Sequence, residues 1–329
     1  MSGLKATPED VRHAYRLLLG REPDAGGFDT YCQLIATQSV SAPDVAAILQ
    51  SSDEYKTRHM AEPALIEAEF EGLKLYPWRG DNLIGAPVQA SGSYEPHVLP
   101  AFVDCVPVGG TVLDVGANIG IFTLSAARKV GAKGRVFAIE PIARNVQSLC
   151  AGIHGNGFHH VSVFPVAASA SAGVVPMLRN ANSSNGIVDT HISASMADAF
   201  APTQPVHALL QGVERLDVIK IDIEGHEPLA WPGIEPLVRK HRPVIFTEFN
   251  PVAIRNHSRV DPETYLEQLF ECAAKVESIE FDGERKVCGT IAEVMDRWRA
   301  ANRRAGTDGT CHIDLVIFAR GGVEDSRQV

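Results

Sequence analysis

Residues 112–122, Val112-Leu113-Asp114-Val115-Gly116-Ala117-Asn118-Ile119-Gly120-Ile121-Phe122, decide how the rest of the chain is read. Residues 111–115 form an apolar run suited to a buried strand, and 121–128 read as a helix that begins directly after a glycine. Gly116 and Gly120 let the backbone turn tightly and approach a ligand, and the helix start offers N–H groups without intrahelical partners. Asn118 stands where a third glycine could be; asparagine is the side chain that best tolerates positive φ, so the turn survives the exchange. Strand, turn and helix together make a nucleotide-type binding turn.

Working outward, strands are expected at 134–140, 160–167, 216–222 and 243–249, with helices at 145–151 and 233–240. Two more strands, 276–281 and 313–318, flank a helix at 291–301. Such alternation means a mostly parallel sheet with helices on both faces, and seven strands fit one doubly wound domain. Glu140 ends the second strand 20 residues beyond Gly120, where a sheet that binds ligands at the carboxyl ends of its strands carries a ribose-binding acid.

A dinucleotide site wants Gly-x-Gly-x-x-Gly so that a pyrophosphate can sit on the helix. This loop lacks that order and carries Asp114 before its first glycine. A carboxylate there suits a cationic aminoacyl group and repels a pyrophosphate, which favours a methyl donor over a nicotinamide.

The segments Leu113–Gly120, Ile139-Glu140-Pro141 and Ile219-Lys220-Ile221-Asp222-Ile223-Glu224-Gly225-His226-Glu227 resemble the FkbM family of S-adenosylmethionine-dependent methyltransferases, from about 111 to 251 and weakly beyond. The resemblance implies an α/β fold of class I methyltransferase type: a Rossmann-like seven-stranded sheet in the order 3-2-1-4-5-7-6, strand 7 antiparallel. It also implies S-adenosylmethionine as cofactor and O-methylation of hydroxyls on sugars, glycans or polyketides. The cofactor set expected on this basis is Asp114, Gly116, Ala117, Asn118, Gly120, Glu140, Pro141, Asn145 and Asp222.

Methyl transfer from a sulfonium needs alignment of oxygen, carbon and sulfur, and removal of the acceptor's proton. Asp222, at the tip of an apolar strand, is the first candidate, acting on the acceptor or on the methionine end of the cofactor. His226 is a candidate general base because imidazole titrates near neutrality. Glu224 and Glu227 lie where a helix dipole favours carboxylates whatever their chemistry. Glu248 ends the fifth strand; with Asp222 it would offer oxygen ligands to a divalent cation such as Mg²⁺, the alternative being a solvated acid or a hydrogen bond to Asn250. Asn182-Ser183-Ser184-Asn185-Gly186 is a polar turn that lies near cofactor and acceptor in the family's architecture. Tyr94 and Trp78 read chiefly as packing anchors, and His154, His159 and His160 as loop residues.

Overall composition bounds the rest. The chain has 329 residues, 30 Lys+Arg against 40 Asp+Glu and a formal net charge of −10, which argues against a nucleic-acid partner. The six cysteines show no Cys-x-x-Cys spacing and read as reduced thiols. The start of the sequence does not look like a signal peptide and no run spans a bilayer, so a soluble cytoplasmic protein is expected, bacterial by family. Three regions follow: 1–60, a small all-helical module; 61–107, a linker, hairpin or lid; and 108–329, the methyltransferase domain. Within the first, 15–27 with 49–55 resembles a short helical module of unknown function found in bacterial proteins concerned with surface polysaccharides and secretion; Arg21 and Asp24 read as a turn-stabilising pair. The expected partner is a small-molecule or glycan acceptor, and a homo-oligomer is left open. Two alternatives remain, a non-catalytic binding or scaffolding subunit and an NAD-dependent oxidoreductase.

Overall fold

The computed structural model describes residues 5–38, 40–55, 65–82, 84–179, 186–189 and 191–321. The chain divides into two compact units, 1–64 and 65–329.

In the first unit, α1 (Pro8–Leu19) starts on a capping box between Thr7 and Asp10, with Pro8 in its first turn, and ends on Gly20 at φ 62°. Helix α2 (Ala25–Gln38) starts directly after Asp24, whose Oδ1 accepts the Gly27 N–H at 2.8 Å. Helix α3 (Ala42–Ser51) repeats the capping box with Ser41 and Asp44, and α4 (Asp53–Tyr55) is a single turn. Val11, Tyr15, Leu19, Ile35, Val45 and Leu49 form the small core. Arg21 ties the ends together, holding both Glu54 oxygens (2.8 and 2.7 Å) as well as Asp24 (3.3 Å).

The second unit opens with a hairpin, β1 (Ala68–Phe70) and β2 (Leu73–Leu75), followed by α5 (Gly85–Ser91) and α6 (Leu99–Cys105). This stretch is no free linker: Phe70, Leu73, Leu75, Val88 and Phe102 lie in one core with Val112, Phe122 and Leu124. Then come β3 (Thr111–Val115), α7 (Ile121–Val130), β4 (Arg135–Ile139), α8 (Ala143–Gly155) and β5 (Val161–Phe164). Strands β6 (Ala167–Ala168), β7 (Gly173–Arg179), β8 (Gly186–Val188) and β9 (Ala199–Gln204) make a separate four-stranded sheet, order β6-β9-β7-β8. After α9 (Val206–Leu209), the main sheet resumes with β10 (Val218–Ile221), α10 (Glu227–His241), β11 (Val244–Phe249), the short α11 (Pro251–Ala253) and a π-helical turn at Ile254–Ser258. Helix α12 (Pro262–Cys272), β12 (Ala273–Ile279), β13 (Arg285–Val287), α13 (Ile291–Ala305) and β14 (Ile313–Ala319) complete it.

The main sheet runs β13-β12-β14-β11-β10-β3-β4-β5. Read from the β5 end, its first seven strands follow the class I methyltransferase order, and β14 is antiparallel to both β11 and β12. The fold class expected from the resemblance is therefore present, with β13 added at the edge to make eight strands. The four-stranded sheet was not anticipated. Pro176 and Pro202 sit inside β7 and β9, and proline removes a ladder donor, so these runs do not read as strands in sequence. For the same reason α10, which carries Pro232 and Pro236 internally, begins at Glu227 rather than at the expected 233.

Strand direction positions the site. Parallel β3, β4, β10 and β11 bring their carboxyl ends to one edge, whereas antiparallel β14 brings its start there, with Ile313 opposite Phe249. Beneath that edge Trp231 of α10 is 1 % exposed and meets Tyr265 of α12 edge-to-face at 6.2 Å. Trp231→Ala is expected to cost about 3–5 kcal/mol of unfolding free energy, read as a lower urea midpoint with the denaturant slope unchanged.

Candidate functional site

Gly116 joins the two strands that make the floor of the site. Its φ is +91°, and a Cβ there would lie 1.8 Å from the Asp222 carbonyl oxygen, so only glycine lets the tips of β3 and β10 touch. The Asp222 N–H donates to Val115 O (3.0 Å), and the N–H groups of Gly116 and Ala117 both donate to Ile139 O (2.9 and 3.0 Å). Asn118 takes φ +51°, as its residue type allows, and its N–H donates to Glu140 Oε2 at 2.8 Å. Gly120, at φ +101°, packs on Leu149 and opens α7 without lining the cavity.

The cavity above this floor has a volume of about 320 Å³, within the range of ligand sites. At one end lie Glu140, Pro141, Ile142 and Asn145, with Ala168, Met177 and Val188 of the four-stranded sheet as an apolar wall. Glu140 accepts from Asn118 N, from Ile142 N (2.8 Å) and from Asn145 Nδ2 (3.2 Å). A carboxylate has about four acceptor positions, so one remains for a ribose hydroxyl. At the other end are Tyr94, Glu95, Lys220, Asp222, Glu224, His226, Glu248, Asn250, Thr310 and His312. An apolar slot with one acceptor left, continuing into an acid-lined chamber, fits the adenosine and sulfonium halves of S-adenosylmethionine. Glu140, Asn118, Pro141 and Asn145 would hold the nucleoside, and Asp114, Gly116, Ala117 and Asp222 the amino-acid end.

Of the residues anticipated from sequence, Asp114, Gly116, Ala117, Asn118, Glu140, Pro141, Asn145, Asp222, Glu224, His226 and Glu248 all line this cavity. Asp114 is buried and accepts from Thr123 Oγ1 at 2.6 Å, which ties the strand to α7. Glu227 does not line it; its Oε1 accepts from Ile223 N and Gly225 N (3.0 and 3.2 Å) and holds the turn below. Glu248 does not pair with Asn250, whose Oδ1 caps α11; it lies 3.7 Å from His312 Nδ1. Tyr94 lines the cavity and meets Phe122 edge-to-face, while Trp78 lies outside it beneath Arg144. His154, His159 and His160 are elsewhere; His160 Nε2 lies 2.9 Å from Ala127 O. The turn at 182–185 falls outside the described residues.

Sequence reasoning missed Lys220, Glu95 and His312. Lys220 is 4 % exposed, lies over the Phe122 ring at 4.2 Å and reaches Asp222 Oδ2 at 2.7 Å. A lysine inside the apolar run 218–221 was a usable signal. Glu95 and His312 come from loops distant in sequence and carried none. Of the two oxygen ligands read for a divalent cation, Asp222 has Lys220 Nζ 2.7 Å from its Oδ2. Among the described residues no group of three or more His, Cys, Asp and Glu is arranged to hold a metal ion.

Burial and crowding move the proton affinities. Burial alone would raise the Asp222 carboxyl, but the charge and hydrogen bond of Lys220 hold it below the ordinary range. Burial would lower the Lys220 ammonium, yet Asp222, Glu95 and Asp114 carry it above its usual value, so it stays charged. Burial raises Glu95, Glu140, Glu224 and Glu227 to about 7, and lifts Glu248 well up with the help of Asp222 and Glu224. Burial takes His226 down to about 4, and among the described residues neither of its ring nitrogens has a hydrogen-bond partner.

A doubly wound sheet in this order, with a glycine turn, a strand-end acid and a cavity between them, defines a class I methyltransferase. Residues 114–273 match the methyltransferase FkbM domain family, and the chain carries that domain. No curated protein matches the chain. Among solved structures it is similar to the methyltransferase FkbM of Methylobacillus flagellatus KT (15 % identity, 93 % of this chain and 58 % of that one, TM-score 0.41). It is also similar to an S-adenosylmethionine-dependent O-methyltransferase of Thermotoga maritima (11 %, 85 % and 82 %, 0.37) and to a precorrin-6y C5,15-methyltransferase of Geobacter metallireducens GS-15 (10 %, 68 % and 89 %, 0.36). No helix among the described residues is long and apolar enough to cross a membrane.

The raised carboxyls keep protons in the folded state that the unfolded chain has released, so between about pH 4.5 and 7 their contribution to stability falls as pH rises. His226 acts oppositely, being neutral when folded, and gains between about pH 4 and 6.5, but it is one group against several. The melting temperature of the ligand-free protein is therefore expected to fall from about pH 5.5 to about 7.5 in calorimetry at constant ionic strength. A steady climb over that interval would mean that these carboxyls are ionised in the folded protein.

Proposed function

We propose that this chain is an S-adenosylmethionine-dependent O-methyltransferase whose acceptor is a hydroxyl on a sugar, a glycan or a glycosylated or polyketide natural product. The observation that carries the reading is the two-ended cavity: one acceptor position left on Glu140 at the nucleoside end, and a chamber of proton-accepting side chains at the other. S-adenosylmethionine, when bound, supplies a methyl group activated on a sulfonium.

The chain's residues do the rest. Glu140 fixes the ribose, and its three donors keep it from rotating away. Asp222, kept ionised by Lys220, orients positive charge or a hydroxyl at the meeting point of the two ends. His226, neutral when folded, donates its ring N–H to the oxygen of an acceptor hydroxyl and so orients it, leaving the hydroxyl's own proton to point at Glu248. Glu248, once positive charge bound beside it has let it ionise, has the raised proton affinity that suits it to take the hydroxyl proton as the oxygen–carbon bond forms. An alkyl hydroxyl is too weak an acid to lose its proton earlier.

Calorimetry on the full-length protein is expected to show binding of S-adenosylmethionine and of S-adenosylhomocysteine, and no stabilisation by NAD(H). Glu140→Gln should weaken nucleoside binding about tenfold or more, because it replaces one carboxylate oxygen by an amide donor among N–H groups. Glu248→Gln should keep that binding and slow methyl transfer by about 10²–10⁴-fold, and Asp222→Ala should abolish transfer. Folded protein, free of bound nucleoside, that takes up neither ligand would remove the proposal. Unchanged turnover in Asp222→Ala would remove that residue's assignment.

A further inference from the structure

The acceptor chamber holds more carboxyl groups than the proposed reaction requires. Four of the carboxylates at this edge have their own donors: Asp222 has Lys220, Asp114 has Thr123, Glu227 has two backbone N–H groups and Glu140 has three donors. For Glu95, Glu224 and Glu248 the difference is charge: Glu95 bonds the Tyr94 hydroxyl and Glu248 the Asp222 carboxyl, neither of them a cation. All three line the chamber, and among the described residues none forms an ion pair with a lysine or arginine; the approach of His312 to Glu248 at 3.7 Å is the nearest equivalent. Lys220 is the sole lysine or arginine among the described lining residues, and it is bonded to Asp222. Just behind, Asp314 adds a further buried carboxylate, 3.7 Å from His97 and 3.9 Å from His312.

Bound S-adenosylmethionine brings a sulfonium, an ammonium and a carboxylate, a net single positive charge, which is not enough to let all three glutamates ionise. A neutral polyol would be served as well by Asn, Gln, Ser or Thr, without the cost of placing like charges together in a half-buried chamber. Carboxylates facing one another in a cavity become favourable when the ligand itself is a cation. A second, independent feature points to a ligand in the same chamber. The His226 ring is 1 % exposed, lines the cavity, and neither of its nitrogens has a hydrogen-bond partner among the described residues.

Resting on the methyltransferase reading, we infer that the acceptor carries a protonated amine close to the hydroxyl that is methylated, as in an amino sugar or amino cyclitol. The ammonium sits among Glu95, Glu224 and Glu248, and the hydroxyl faces His226. Because these carboxyls hold protons in the empty site, seating an ammonium releases protons to solvent.

The test is calorimetric titration of the full-length protein, saturated with S-adenosylhomocysteine, with D-glucosamine and with N-acetyl-D-glucosamine, in two buffers of different ionisation heat. Glucosamine should bind at least about tenfold more tightly than its neutral N-acetyl counterpart and should release protons. Glu95→Gln and Glu248→Gln, each checked for an unchanged melting transition and S-adenosylhomocysteine binding, should each reduce that preference; Glu224→Gln substitutes for either that misfolds. Equal or tighter binding of N-acetylglucosamine, no glucosamine binding, or a preference intact in the folded variants would overturn the inference. Failure to bind S-adenosylhomocysteine at all would instead remove the methyltransferase reading beneath it.

Discussion

The site depends on one contact between main chains, Gly116 against the carbonyl of Asp222. A side chain at 116 would occupy the carbonyl's position, so the missing Cβ is what lets the turn after β3 and the turn after β10 share a floor. From that contact the rest follows geometrically. The neighbouring N–H of Asn118 reaches Glu140, which fixes the nucleoside end. Asp222 lies over the same seam, where Lys220 from its own strand can hold it in the ionised state.

Charge is the second organising constraint. Carboxylates gather at the strand tips, and the protein compensates for some of them by local devices: a lysine for Asp222, backbone N–H groups for Glu227 and Glu140, a hydroxyl for Asp114. Glu95, Glu224 and Glu248 have no lysine or arginine ion-pair partner among the described residues, and burial lifts their proton affinity. The chamber is thereby suited to a positively charged occupant, since a bound cation lets these carboxyls ionise without mutual repulsion.

Much of the nucleoside end was legible in the sequence, because it is built from consecutive residues. The turn 116–120, the tolerance of Asn118 for positive φ and the acid closing the next strand are local features, and local sterics determine them. The sheet order was legible through family resemblance. The four-stranded sheet was not, since proline within β7 and β9 suppresses the strand signal even though neighbouring strands supply the pairing. The acceptor end was legible only at Asp222, Glu224, His226 and Glu248, which share the strand tips.

What the sequence determined by itself is therefore the glycine turn, the acid closing the second strand and the acidic tip of the fourth strand, each fixed by residues within a few positions of one another. Only the tertiary structure decided what surrounds them. It brings Glu95 in from the loop before α6, and His312 and Asp314 in through the reversed direction of β14, which presents its start where its neighbours present their ends. It also pairs Lys220 with Asp222, which are two residues apart and thus on the same side of one strand. Electrostatic character in a cavity depends on distances between elements, and those distances exist only after the sheet has formed.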